Sequence, residues 1–195
     1  ARQLTPRQSP ARRREWMERV WEGHDGSSRR KRAEMSRREQ AFVEAATGDH
    51  RLPDDPDLSR LQELLDEEPS LIQSVGSVAV GRALGWPRGA PILRWLLEKG
   101  ARYEQEPGVF GPLDGAVWTD CVENVRLLLE AQDDIDVAAI AVEPPHGGLA
   151  SHRSLLHTAA WLAHVDMTAL LLEHGAARAI GAKLGESGQT ALQRA

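Results

Sequence analysis

The chain has a single cysteine, Cys121, and no long apolar run. One cysteine excludes an intramolecular disulfide framework and a zinc site built from several cysteines, and it fits a reducing compartment. Uncharged apolar stretches such as Ser154–Val165 fall far short of the roughly 18 residues that span a bilayer. The arginine-rich segment Ala1–Arg14 has no apolar core behind it, so it does not match a secretory signal. We therefore expect a cytoplasmic protein.

Strand-forming residues are also sparse. Ile, Thr, Tyr and Phe are uncommon, whereas Leu, Ala, Glu and Arg dominate the 195 residues. These preferences favour helix over strand. The sequence also lacks the Gly-x-Ser-x-Gly elbow, the P-loop and the dinucleotide-binding fingerprint, so no motif points to catalysis or to a bound cofactor.

The charge of the chain is unevenly distributed, and its net value of −5 conceals this. Residues 1–38 hold 12 Lys+Arg and 5 Asp+Glu, a net of +7, whereas residues 39–195 hold 12 and 24, a net of −12. The sequence is therefore a basic arm joined to an acidic body. Such a body is expected to prefer a partner with a neutral or basic surface.

The body repeats one layout four times. In each copy a short run of small and apolar residues is followed by a run rich in leucine. The paired runs are 40–48 with 61–69, 78–84 with 94–101, 111–118 with 126–133, and 154–161 with 169–176, and a fifth copy begins at Thr190. The matching apolar anchors are Phe42, Val80, Leu113, Leu156 and Leu192. Self-similarity at this spacing is typical of a solenoid.

The copy that begins at Ser154 shows what one unit is expected to form. Leu156, Ala159 and Ala160 fall at positions i, i+3 and i+4, which lie on one face of a short helix. Met167–Leu172 supplies the apolar face of a second helix, and Gly175 follows where a left-handed helix stop needs no Cβ. Two such helices cannot bury their apolar faces alone, so each unit must stack on the next.

This layout resembles the ankyrin repeat, whose pattern is Thr-Pro-Leu-His-x-Ala-Ala, then Gly-His, then Leu-Leu-Leu-x-x-Gly-Ala. The resemblance covers residues 40–195. The matching residues in the unit from Ser154 are Leu156, His157, Ala159, Ala160, His164, Leu171, Leu172, Gly175 and Ala176. The resemblance implies an all-α solenoid with units at about 39–76, 77–108, 109–152 and 153–187, a partial unit at 188–195, and a helical arm or cap at 1–38. It also implies a non-enzymatic module that binds a protein partner in its concave groove.

Some residues depart from the ankyrin pattern. Those that replace its His or Gly residues are Asp114, Asp120, Gln132 and Ala163. Ala163 predicts a tighter or more helical turn between two helices. The insertion Val137–Arg153 is long enough to be functional or disordered, and Val137–Val142 within it is expected to add a short helix or an extended segment.

Tryptophan placement predicts the binding surface. Trp118 and Trp161 occupy the same repeat position, and Trp86 lies close to it in the preceding unit. At 100° per residue, Trp118 lies roughly 145° from the apolar stripe of its helix, so it is not expected in the helix-stacking core. The resemblance places this position on the groove, and Thr119 and Leu162, the next residues along, would complete the surface. The alternative is that the rings pack under the insertion or against neighbouring repeats.

Histidines and acidic residues give no convincing metal or catalytic site. His157 and His164 occupy ankyrin positions where imidazole ties turns and backbone groups together, which explains them without metal ligation. A metal site needs three or four converging ligands, and the sequence shows no such convergence. Cys121 lies between Asp120 and Glu123, which should raise rather than lower the pKa of its thiol.

The arm carries a basic amphipathic pattern. Trp16, Met17, Val20 and Trp21 form an apolar stripe. The basic residues of the arm are Arg12, Arg13, Arg14, Arg29, Arg30, Lys31 and Arg32. The favoured interpretation is a cap over the first repeat, held in place by the acidic body. The alternative function is binding of nucleic acid or an acidic partner through these residues.

Overall fold

The computed structural model describes residues 34–47, 58–104, 110–143 and 151–182, together with residues 190 and 193. Within these ranges it contains eight α-helices, one two-stranded hairpin and one 3₁₀ helix. The helices are α1 (Arg37–Thr47), α2 (Leu58–Glu67), α3 (Leu71–Leu84), α4 (Ala90–Glu98), α5 (Pro112–Trp118), α6 (Val122–Ala131), α7 (Leu155–Trp161) and α8 (Val165–Glu173). They confirm the all-α class predicted from the sequence. The predicted arm lies almost entirely outside the described residues.

The described residues divide into two compact units. The N-terminal unit holds the described residues of 21–104 and 123–133, and the C-terminal unit holds those of 105–122 and 134–195. In the N-terminal unit α1 packs against both α2 and α3, and α3 packs against α4. In the C-terminal unit α5 packs against α7, and α7 packs against α8. Within each unit, the first helices of successive sequence repeats are therefore in contact.

The anchors identified by the repeat pattern form the core of these contacts. Phe42, Val80, Leu113 and Leu156 are all buried. The fifth anchor, Leu192, lies outside the described residues. Burial at every described anchor confirms the apolar face that the spacing predicts.

Helix α3 begins at Leu71, earlier than the repeat pattern indicates. The predicted boundary between Gly76 and Ser77 therefore falls inside a helix, and the correction follows from the apolar pattern. The buried face of the repeat run 78–84 continues toward the N-terminus through Leu71, Ile72 and Val75. The helix extends to cover them because burial of that face stabilises it.

Reciprocal hydrogen bonds mark the start of α1 and recur between Thr190 and Gln193. The Ser36 hydroxyl accepts from the Glu39 backbone N–H at 3.2 Å, and the Glu39 carboxylate accepts from the Ser36 N–H at 2.7 Å. The Gln193 N–H donates to the Thr190 hydroxyl at 3.3 Å, and the Thr190 N–H donates to the Gln193 side-chain oxygen at 3.0 Å. Each pair is a capping box. The second stands where the sequence places the start of a fifth unit.

Helices α5 and α7 end in the same way. Asp120 and Ala163 follow their last turns with φ values of 60° and 57°. The next N–H, of Cys121 or His164, donates to a carbonyl five residues back, at 2.9 Å in both cases. This is the Schellman pattern, in which glycine usually holds the left-handed position. The turn at Ala163 is therefore left-handed, and the prediction that it is more helical is wrong.

The insertion between α6 and α7 contains the hairpin. Strands β1 (Ile140–Glu143) and β2 (Ser151–Ser154) pair antiparallel, with Ile140 opposite Ser154 and Glu143 opposite Ser151. Of the two conformations expected for Val137–Val142, the extended one is present from Ile140 onward. β2 runs directly into α7, so the hairpin is continuous with the first helix of the next sequence repeat. A 3₁₀ helix, η1 (Ala176–Ala179), follows α8.

Candidate functional site: the tryptophan turns

Trp118 and Trp161 are the last residues of α5 and α7, two helices that pack against each other in the C-terminal unit. Their ring centroids lie 5.4 Å apart, and the ring planes are tilted by 56°. This is the range in which aromatic pairs attract each other beyond their burial. The equal repeat position of the two residues therefore becomes a direct ring contact.

The exposure predicted for this surface is wrong at two residues. Trp118 is only 5% exposed and Leu162 only 8% exposed. The position of a residue around its own helix does not account for the neighbouring helix, and Trp161 of α7 covers part of the Trp118 ring. The alternative interpretation, in which a ring packs against the neighbouring repeat, describes Trp118.

Trp161 and Thr119 keep part of their surface accessible, since both are half-buried. The Thr119 hydroxyl donates to the Gly115 carbonyl at 3.0 Å, so its polar group is turned back onto its own helix. Trp161 therefore presents the largest accessible apolar side chain of this turn.

Trp86 belongs to the N-terminal unit. It lies on the connection between α3 and α4 and is half-buried. Because Trp86 and the other two tryptophans belong to different units, the ladder through all three rings stays a prediction.

His164 connects the two helix ends of the C-terminal unit. Its side chain is buried, its Nε2 donates to the Trp118 carbonyl at 3.3 Å, and its Nδ1 lies 3.5 Å from the Asp120 carboxylate. His164 also occupies the N-cap position of α8. The histidine thus holds the end of α5 beside the start of α8, as its ankyrin position implies.

His157 has a similar structural task. It is fully buried, with Nδ1 2.7 Å from the Ser154 hydroxyl and Nε2 3.0 Å from the Ala182 carbonyl. A carbonyl can only accept, so Nε2 carries the proton and Nδ1 accepts from the serine. Both ring nitrogens are satisfied in the neutral form. Across the described ranges, no three His, Cys, Asp or Glu side chains cluster in a way that would hold a metal ion.

The sequence analysis did not identify two buried side-chain amides that make structural hydrogen bonds. Asn124 is 1% exposed, and its Nδ2 lies 2.6, 3.0 and 3.3 Å from the carbonyls of Trp86, Leu84 and Ala83. Its two N–H groups serve these three acceptors, so one N–H is shared. Its position in the sequence could have indicated burial, because Asn124 precedes Val125 and lies on the buried face of α6. A polar residue on such a face needs internal hydrogen bonds.

Gln132 is the second buried amide. Its side-chain oxygen accepts from the Tyr103 N–H at 2.6 Å, and its Nε2 donates to the Tyr103 carbonyl at 3.2 Å. Gln132 therefore fixes the segment after α4 from both sides of one residue. Gln132 stands where the ankyrin pattern has glycine. That departure was the one feature of the sequence that could have indicated a special role for this residue.

Cys121 is buried beside Thr119, with 3.2 Å between the thiol sulfur and the Thr119 hydroxyl. Burial raises the pKa of the Cys121 thiol, and the negative charge of Asp120 adds to that rise, while the hydrogen bond with Thr119 opposes it. The predicted direction is confirmed, and its main cause is burial rather than charge. The thiol is therefore poorly suited to act as a nucleophile.

A second accessible apolar surface lies on α8. Val165 is 75% exposed, and Leu172, two turns later on the same face, is 38% exposed. Ile180, beyond η1, is also exposed. Trp161 and this face of α8 are thus two accessible apolar surfaces of the C-terminal unit.

The basic residues of the predicted arm, Arg12, Arg13, Arg14, Arg29, Arg30, Lys31 and Arg32, lie outside the described residues. None of the described helices has both the length and the apolar character needed to cross a membrane.

Comparison with known proteins does not assign the chain to a family. No protein-family model matches the chain, and no curated protein is similar to it at a significant level.

Proposed function

We propose that this protein is an ankyrin-like repeat protein that binds a protein partner and catalyses no reaction. The supporting observation is the repeated helix pair with equivalent ends. Helices α5 and α7 both end in a Schellman turn, and in each a tryptophan lies two residues before the left-handed residue of that turn. Helix α5 packs against α7. Repeats that stack through their first helices leave the turns of those helices side by side.

Trp161 and Trp86 are the proposed anchors for the partner. Both are half-buried, so each keeps ring surface that a partner can cover. Tryptophan is enriched at binding hot spots because it buries much area with few rotatable bonds. Trp118 contacts the Trp161 ring, and Leu162 and Thr119 complete the turn. In this proposal Trp118 and Leu162 contribute rigidity rather than contact area.

The proposed partner presents a neutral or basic segment, since residues 39–195 carry a net charge of −12. No cofactor is part of the proposal. The cytoplasm is the proposed location, because a lone buried thiol suits a reducing compartment.

The experiment begins with peptides selected from a displayed random library against the whole chain. A selected peptide is synthesised, and its affinity is measured by calorimetric titration for the wild type, Trp161→Ala and the matched variant Val165→Ser. We expect Trp161→Ala to weaken binding by roughly tenfold to a hundredfold, because hot-spot truncations typically remove about 2 kcal/mol or more. Val165→Ser should bind like the wild type.

Folding is checked for each variant by urea unfolding, since Trp161 also contacts Trp118. Trp161→Phe keeps an aromatic ring at the contact and should recover part of the affinity. Unchanged affinity in a folded Trp161→Ala would contradict the proposed anchor at Trp161. A loss confined to Val165→Ser would in addition place the site on α8.

A further inference from the structure

Helix α3 ends differently from α5 and α7. Its last residue, Leu84, is followed by Gly85, whose φ of −78° is right-handed. The helix therefore lacks the left-handed residue that lets a Schellman turn satisfy the last carbonyls. The N–H groups of Gly85 and Trp86 donate to the Gly81 and Ala83 carbonyls at 3.4 and 3.2 Å. The Leu84 carbonyl at the end of the helix still requires a donor, because a buried helix end without partners is costly.

Asn124, from the third sequence repeat, supplies a donor to Leu84. Its amide donates to Ala83 and Leu84 in the last turn of α3 and, at the shortest distance of 2.6 Å, to Trp86 beyond it. Asn124 and Trp86 both belong to the N-terminal unit. A single amide thus fixes the helix end and the residue that carries the candidate anchor.

The turn around Trp86 is closed from a second direction. The Gly89 N–H donates to the Trp86 carbonyl at 2.8 Å. A Cβ at position 89 would lie 1.9 Å from the Ala83 carbonyl oxygen, so only glycine fits. The backbone of Trp86 is therefore held between Asn124 and Gly89, with no space for the turn to slide toward α3.

The amide is specific to this repeat. Counted from the matching turn residues Asp120 and Ala163, Asn124 corresponds to Met167 in the next repeat, which is fully buried. The repeat architecture accepts an apolar side chain at this position. Of these two matching positions, the one that carries the amide follows the helix that ends without a Schellman turn.

We infer that Asn124 is a positioning residue for Trp86: it fixes the Gly85–Gly89 turn so that the tryptophan is held ready for a partner. The consequence for binding rests on the function proposed above. A rigid anchor binds more tightly than a mobile one because less conformational freedom is lost on association.

The test compares Asn124→Leu, which keeps the side-chain shape but removes both donors, with the matched control Gln132→Leu. Gln132 is the other buried amide of the same unit, and it holds Tyr103 rather than Trp86. The chain is labelled with 5-fluorotryptophan, and the Trp86 fluorine signal is assigned with Trp86→Phe. We expect Asn124→Leu to shift or broaden the Trp86 signal, whereas Gln132→Leu should leave that signal in place.

Binding is measured in parallel with a selected peptide whose affinity falls in Trp86→Ala. Loss of the amide should weaken it by roughly threefold to tenfold, the equivalent of one net hydrogen bond. Combining Asn124→Leu with Trp86→Ala should add little to the loss caused by Trp86→Ala alone. If Asn124→Leu does not fold, Asn124→Ser, whose hydroxyl is too short to reach the carbonyls, replaces it.

An unchanged Trp86 fluorine signal in a folded Asn124 variant overturns the positioning role, whatever the peptide does. Equal effects of Asn124→Leu and Gln132→Leu on the Trp86 signal also overturn it, because they would reflect general loosening. If every selected peptide ignores Trp86→Ala, the proposed anchor at Trp86 fails, and the fluorine result still decides the position of the ring.

Discussion

Ala163 holds a backbone conformation that its side chain disfavours. Its φ of 57° is left-handed, where a Cβ costs about 1–2 kcal/mol. The side chain is exposed, so it gains little by packing in return. Ala163 shows a local strain that the surrounding Schellman hydrogen bonds sustain.

Replacing this alanine by glycine should therefore stabilise the protein. We expect Ala163→Gly to raise the free energy of unfolding by about 0.5–1.5 kcal/mol, less the extra freedom that glycine gives the unfolded chain. Urea unfolding measures it. The matched control is Ala169→Gly at an exposed position within α8, which should lose about 0.5–1 kcal/mol. A loss at both positions would contradict the assigned left-handed turn.

Cys121 predicts a pH dependence of stability. Its thiol has an ordinary pKa of 9.0, and burial raises that pKa in the folded state. The folded chain therefore holds the proton more tightly than the unfolded chain does. The associated stability is complete below pH 9 and is lost as the pH rises through the folded pKa.

The measurement is urea unfolding of the wild type and Cys121→Ala from about pH 7 to about pH 10.5, the range in which a raised thiol pKa would act. The difference in unfolding free energy between the two proteins should shift against the wild type as the pH rises above 9. Parallel curves throughout would show that the thiol is not buried as described.

The sequence predicted the features that a local pattern determines, and it did not predict the features that depend on contacts with other helices. Buried anchors such as Leu113 follow from periodicity within one helix, whereas the left-handed turns at Asp120 and Ala163 were not predicted. Burial of Trp118 depends on the ring of Trp161, which a helical wheel of α5 does not contain. Asn124 bonds a turn almost forty residues away, and no local pattern specifies that partner.

At the scale of elements, the start of α1 depends on the capping box of Ser36 and Glu39. Ser36→Ala removes the acceptor for the Glu39 N–H and should cost about 1 kcal/mol of stability. Ser36→Asn keeps an acceptor at the N-cap and should remain close to the wild type. Unfolding monitored by circular dichroism measures both variants, and equal stability of all three proteins would exclude a capping role.

The leucine-rich second run of each repeat predicted its helix better than the first run did. Leucine-rich runs indicated the second helices correctly, since their apolar faces are continuous and end at glycine or a polar residue. The first helices vary more, and α3 begins earlier than the pattern because Leu71 and Ile72 extend its buried face. The hairpin before α7 was only one of two alternatives, since four-residue strands carry too little periodicity to exclude a short helix.

At the scale of the whole molecule, repetition and charge support the proposed function together. Successive first helices pack against each other within each unit, so the repeated sequence layout corresponds to repeated packing there. Residues 39–195 are strongly acidic, so the partner proposed for the accessible rings of Trp161 and Trp86 is neutral or basic. Ankyrin-like grooves take their specificity from such surface residues rather than from the fold.

The central claim is that a partner binds across the tryptophan turns. Hydrogen exchange measured by mass spectrometry, with and without a selected peptide, tests it most directly. The account predicts slower exchange around Trp118–Thr119 and Trp161–Leu162 on binding, with little change across the exposed face of α8 that carries Val165 and Leu172. Protection confined to that face of α8, with the tryptophan turns unchanged, would contradict it.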